Sequence, residues 1–125
     1  ALSFIIATYW LFIQKSTPPL QPNNIREISK IIAQDQKQTT LNFNVTSFVD
    51  PDARATAYRY FLDLEGVQPL GVGEYGVADH LYVVTFDDQG QVLYNQTYEI
   101  SSFRPKRISK SWKYGKENIY RLERN

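Results

Sequence analysis

The chain has 125 residues, no cysteine, no methionine and a net charge of +1. That length fits one domain able to bury a core unaided, and the missing cysteines exclude disulfides and thiolate-held metals. A charged fraction of 22% with 14% aromatics argues against disorder. The charge is unevenly laid out: residues 104–125 carry eight basic and two acidic side chains, whereas the preceding 103 residues carry six basic and eleven acidic ones. Such asymmetry points to an interaction surface at the C-terminal end.

Residues 1–13 carry no charge and include Phe4, Ile5, Ile6, Tyr9, Trp10, Leu11, Phe12 and Ile13. Residues 14–23 follow as a spacer with three prolines between Pro18 and Pro22, a composition that favours an extended, stiff linker. An apolar block, one cation (Lys15) and a proline-rich spacer predict a membrane anchor, with Tyr9 and Trp10 at the lipid–water boundary. Thirteen helical residues rise only about 20 Å, against a hydrocarbon core about 30 Å thick. The segment is therefore expected to be the outer part of a transmembrane helix, with the missing turns upstream of Ala1. The competing reading is a buried strand or helix of the core, since Phe, Ile, Tyr and Trp also favour strands. The anchor reading makes the chain a single-pass membrane protein with an extracytoplasmic domain over 24–125.

Asn24–Gln36 reads as an amphipathic helix. Asn24 and Glu27 have capping-box spacing, and Ile25, Ile28, Ile31 and Ile32 form one stripe. Residues 39–48 alternate Leu41, Phe43 and Val45 against Asn42, Asn44 and Thr46, a half-buried strand. Asp50-Pro51 opens a second helix over 51–65, ended by Gly66, with a strand over 55–64 as the competitor. Residues 66–79 form a glycine-rich loop. Leu81–Phe86 and Gln91–Ile100 flank Asp87-Asp88-Gln89-Gly90 and predict a hairpin. Arg107–Tyr114 and Asn118–Arg124 flank Gly115-Lys116 and predict another.

The expected fold class is α+β: one or two helices packed on an antiparallel β-meander, preceded by the apolar helix. In element order this outline resembles the cystatin-like and NTF2-like cone folds, including the tethered periplasmic domains of some secretion subunits. The resemblance rests on no sequence motif and implies the architecture only.

No catalytic, cofactor or metal motif emerges. His80 is the single histidine; with Asp79 or Glu74 it could serve acid–base chemistry, and the competing reading is a histidine without a role. Gly71-Val72-Gly73-Glu74-Tyr75-Gly76 spells a dinucleotide fingerprint but lacks the strand before and the helix after that such a site needs, and Glu74 would repel a phosphate. Asp87-Asp88 and Asp50 with Asp52 lack calcium-loop spacing.

The basic hairpin is the stronger lead: Arg104, Lys106, Arg107, Lys110, Trp112, Lys113, Tyr114, Lys116 and Tyr120 interleave cations with aromatics. That surface could meet membrane lipid headgroups, acidic subunits of a membrane complex or, less readily, single-stranded nucleic acid; a solvated sheet face is the plain alternative. The expectation is a non-enzymatic, membrane-anchored accessory subunit that docks on partner proteins and could form homo-oligomers. A binding module for anionic ligands and a small cone-fold enzyme using His80 are the alternatives.

Overall fold

The computed structural model describes residues 22–49 and 54–124. In chain order these form α1 (Pro22–Gln36), β1 (Phe43–Ser47), α2 (Thr56–Leu64), a 3-10 turn (Tyr75–Val77), β2 (His80–Thr85), α3 (Gln89–Leu93), α4 (Tyr98–Phe103), β3 (Arg107–Tyr114) and β4 (Glu117–Glu123). The class is α+β, built on a four-stranded mixed sheet in the order β1-β2-β4-β3. β1 runs parallel to β2, and β4 is antiparallel to both β2 and β3. A parallel pair needs a crossover, which α2 and the loop after it supply.

The sheet is covered on both faces. Phe43, Val45, Tyr82, Val84 and Ile119 pack under Ile28, Ile32 and Ala33 of α1 and Tyr58 and Leu62 of α2. Leu81, Val83, Tyr120 and Leu122 face the other way, onto Tyr75, Val92, Ile100 and Phe103. Every residue of β1 and β2 is buried, as expected for strands enclosed on both sides.

Two expectations about the sheet are corrected. It is not an antiparallel meander, because the β1–β2 pair is parallel. Residues 91–100 are not a strand: they fall in α3, α4 and the link between them. The reason is local. Asp88 accepts a hydrogen bond from the Gln91 backbone, and the Gln91 side chain accepts from the Asp88 N–H, a complete capping box where a hairpin turn was expected. The apparent alternation from Val92 to Ile100 is fortuitous, since Ile100 is in register with Phe103 three positions on, both buried, while Tyr94 and Tyr98 point outward. The first helix also starts before Asn24, so Asn24 lies inside it and Glu27 pairs with Lys30 instead.

The C-terminal hairpin forms with the expected turn. Gly115 has φ +61°, and Lys116 keeps a negative φ, which is the signature of a type II′ turn with glycine first.

Among the described residues, no helix is long and apolar enough to cross a membrane. The longest, α1, has 15 residues and carries Arg26, Glu27, Lys30 and Asp35; it rises about 22 Å, short of a bilayer core of about 30 Å. The expectation of a single-pass transmembrane protein with an extracytoplasmic domain is accordingly withdrawn. The residues assigned to the anchor (Phe4, Ile5, Ile6, Tyr9, Trp10, Leu11, Phe12 and Ile13) lie outside the described residues.

Candidate functional site

The hairpin forms one border of the sheet. β3 is the outer strand, eight residues long, with an alternating exposed and half-buried pattern. Its helix-facing side carries Lys110, Trp112 and Tyr114. Trp112 lies 6.4 Å from the Tyr82 ring, and both Trp112 and Tyr114 pack on the core beneath α1 and α2. Its opposite side carries Ser111 and Lys113, both exposed. Lys116 is exposed in the turn, and Lys106 and Arg104 are exposed ahead of the strand. Arg104 caps α4 at a left-handed φ of 58°. Among the described residues, Arg104, Lys106, Lys113 and Lys116 enter no ion pair. Tyr120 departs from the expected surface: it is 5% exposed on the far face of the sheet and donates its hydroxyl to the Asp87 carbonyl at 3.0 Å.

Behind the hairpin lies an ionic cluster that sequence reasoning missed. Asp35, at the end of α1, is 5% exposed. Its carboxylate accepts from Lys110 Nζ at 2.7 Å, Arg121 Nη1 at 2.8 Å and the Tyr82 hydroxyl at 2.6 Å. Burial alone would raise the Asp35 pKa; the hydrogen bonds from Lys110, Tyr82 and Arg121 outweigh it and hold the carboxyl below its ordinary 3.8. Burial, and after it the same carboxylate, pushes the Tyr82 hydroxyl up, so Tyr82 remains a donor. Arg121 reaches on to Glu123 at 3.4 Å, and Glu123 also pairs with Arg107. A β-bulge at Ser109 shapes this end of the hairpin: the register slips between Ile108 and Lys110, and Ser109 Oγ accepts from Arg121 Nε at 2.9 Å. The cluster is thus a chain of charges from Lys110 to Arg107, fixed at α1 by one carboxylate.

His80 closes that chain. It starts β2 and is 4% exposed; its Nε2 lies 3.3 Å from Glu123, its cross-strand partner. Its Nδ1 is buried with no hydrogen-bond partner among the described residues. The carboxylate against His80 is therefore Glu123, not Asp79 or Glu74. Asp79 accepts from the Asn42 backbone at 3.1 Å, and Glu74 turns back on its own loop to accept from the Gly71 backbone at 3.0 Å. His80 itself lines a cleft of about 380 Å³, together with Leu41, Val77, Ala78, Asp79, Glu123 and Arg124. Among the described residues, no group of three or more His, Asp or Glu side chains could hold a metal ion.

The His80 environment has a consequence for pH. Burial, then the charge of Arg121, depresses its pKa below 6.5, against the opposing pull of Glu123 from β4, Asp35 from α1 and Asp79 ahead of β2. A base depressed in the folded state contributes stability that is complete above its unfolded pKa and is lost as pH falls toward and through its folded one. Stability to urea is therefore expected to decline as pH drops below 6.5, and His80→Gln is expected to flatten that decline. An unchanged slope in the variant would show that His80 is not its source.

A comparison of the chain with protein-family models, curated proteins and solved structures finds no match.

Proposed function

We propose that this domain is a non-enzymatic protein-binding module that docks an acidic partner through the β3–β4 hairpin. The observation that carries the reading is the uneven use of the hairpin's cations. Lys110, Arg107 and Arg121 are consumed by the buried cluster, whereas Lys106, Lys113 and Lys116 stand exposed beside it without ion pairs among the described residues. The cluster fixes the strand and the exposed cations present its charge. A rigid, pre-organised surface loses little entropy on binding. Against an enzymatic reading stands the fate of the expected acid–base group: Asp79 and Glu74 bond to backbone, and His80 is 4% exposed with its Nε2 turned to Glu123.

The test is affinity for an acidic model peptide, oligoglutamate, measured over a range of ionic strength. Binding is expected to weaken with salt. The triple variant Lys106→Glu, Lys113→Glu, Lys116→Glu is expected to lose about tenfold to a hundredfold in affinity, while its folding stability stays within about 0.5 kcal/mol per site. Binding indifferent to salt and to the triple reversal would remove the proposal. A clear preference for single-stranded DNA over the peptide would also overturn it, in favour of an anionic-ligand module.

A further inference from the structure

We infer that the acidic partner binds as an added strand, pairing with the open edge of β3 as an extended segment in which acidic and apolar residues alternate. This rests on the hairpin being the docking surface and specifies how it is used.

The first support is the edge itself. β3 is the terminal strand of the sheet; α3 lies near it, but no further strand pairs with its outer side among the described residues, and Ser111 and Lys113 are exposed there. The hairpin register runs from Tyr114↔Glu117 at the turn through Lys113↔Asn118, Trp112↔Ile119 and Ser111↔Tyr120. In a two-residue hairpin the closing pair is hydrogen-bonded, and pairs then alternate, so Ser111 and Lys113 turn their backbone N–H and C=O groups outward. These are the groups a further strand would use. The contrast with the other border is sharp. At β1 the outward carbonyls are already taken: Phe43 accepts from Leu70 N–H at 2.9 Å, and Val45 accepts from the Tyr75 hydroxyl at 2.9 Å and from Arg59 at 3.3 Å. One edge is sealed by the fold and the other is left open.

The second support fixes the alternation. On the helix side of β3, a groove of about 230 Å³ separates the strand from the end of α1, with Ile31, Gln34, Asp35 and Gln38 on one wall and Lys110 and Trp112 on the other; the Asp35 carboxylate there would repel an acidic side chain. Side chains of an added strand that point to this side would meet Ile31 and Trp112, and Lys110 is already engaged by Asp35. Apolar residues fit there. Side chains pointing to the opposite side would run beside Ser111 and Lys113, where acidic residues answer an unpaired cation. A second copy of this chain fits poorly as the occupant, because pairing β3 with its own copy would bring the same lysines together.

The probe is a capped peptide alternating Glu and Val. Its controls are the same peptide N-methylated at alternate residues and a Lys–Val peptide. We expect the Glu–Val peptide to bind and to slow hydrogen exchange at the Ser111 and Lys113 amides. N-methylation of the strand-facing amides is expected to weaken binding by about tenfold or more, as expected when a strand-forming hydrogen bond is lost. Ser111→Pro removes one outward donor from the protein and should act likewise, proline being tolerated on an edge strand. The N-methylated peptide keeps the test decisive even where that variant folds poorly. Equal binding of the methylated and unmethylated peptides, both sensitive to salt, would overturn strand addition and leave hairpin docking standing. No binding of the Glu–Val peptide, or equal binding of the Lys–Val control, would remove both. A peptide-free dimer with protected Ser111 and Lys113 amides would make a second copy the occupant and overturn the inference.

Discussion

Replacing Asp35 with alanine is expected to lower folding stability by about 3 kcal/mol, the cost of removing one partner from a buried ion pair. The carboxylate is almost fully buried, and it is the shared acceptor for Lys110, Arg121 and Tyr82. Without it, Arg121, whose side chain is 13% exposed, faces Lys110 directly across the hairpin. Lys110 is 44% exposed and can turn to solvent; Arg121 cannot do so as freely. Urea denaturation at neutral pH measures the loss. A loss below about 1 kcal/mol, the range of exposed pairs, would show that the cluster contributes no more than surface charge. The double variant Asp35→Leu, Arg121→Met is expected to recover much of the stability, because it removes the stranded cation together with its partner. Acid should reproduce the single variant. A carboxyl held below 3.8 supplies stability present above that value and lost as pH falls through the lower folded pKa.

The cluster was legible in principle. A two-residue turn at Gly115-Lys116 fixes the register, and that register sets Lys110 opposite Arg121. Two like charges side by side on a sheet are unfavourable unless an anion lies between them, so the hairpin alone implied a carboxylate from elsewhere in the chain. What the sequence did not specify was which one. Asp35 is 75 residues from Lys110, and only the docking of α1 across the sheet brings it in. The elements that read correctly were those with one dominant local signal: the isoleucine stripe of α1 and the glycine-led turn of the hairpin; β1 is a strand as expected, but its alternation implied a half-buried one, whereas its polar Asn44 and Thr46 are fully buried as well. Residues 87–100 misled because two local signals competed. Asp87-Asp88-Gln89-Gly90 is acceptable turn chemistry, but Asp88 and Gln91 also have capping-box spacing, and the buried Ile100–Phe103 pair follows the helical period. The parallel β1–β2 pair could not be read locally at all, because it depends on where the α2 crossover places its ends.

Arg59→Ala is expected to cost about 3 kcal/mol and, unlike the loss of Asp35, to change how the protein behaves toward other chains. Arg59 rises from α2 and locks the outer border of β1. Its guanidinium donates to the Leu70 carbonyl at 2.5 Å, Asn44 Oδ1 at 2.7 Å, the Tyr75 hydroxyl at 3.0 Å, the Val45 carbonyl at 3.3 Å and the Arg54 carbonyl at 2.6 Å. One side chain thereby ties α2, β1 and the 66–79 loop together. Alanine leaves these acceptors short of a donor in a region where Asn44 and Val45 are fully buried. Lysine should restore little, since a point charge cannot replace a planar fork bonded at several nitrogens. The expected readouts are faster amide exchange across β1 and the loop before any change in β4, and association that grows with protein concentration as β1 becomes a second open edge. Wild-type protein, with β1 sealed and β3 guarded by lysines, should remain monomeric under the same conditions. Exchange in Arg59→Ala that rises uniformly over the whole sheet would show that the arginine stabilises the fold generally and does not act as the lock on that edge.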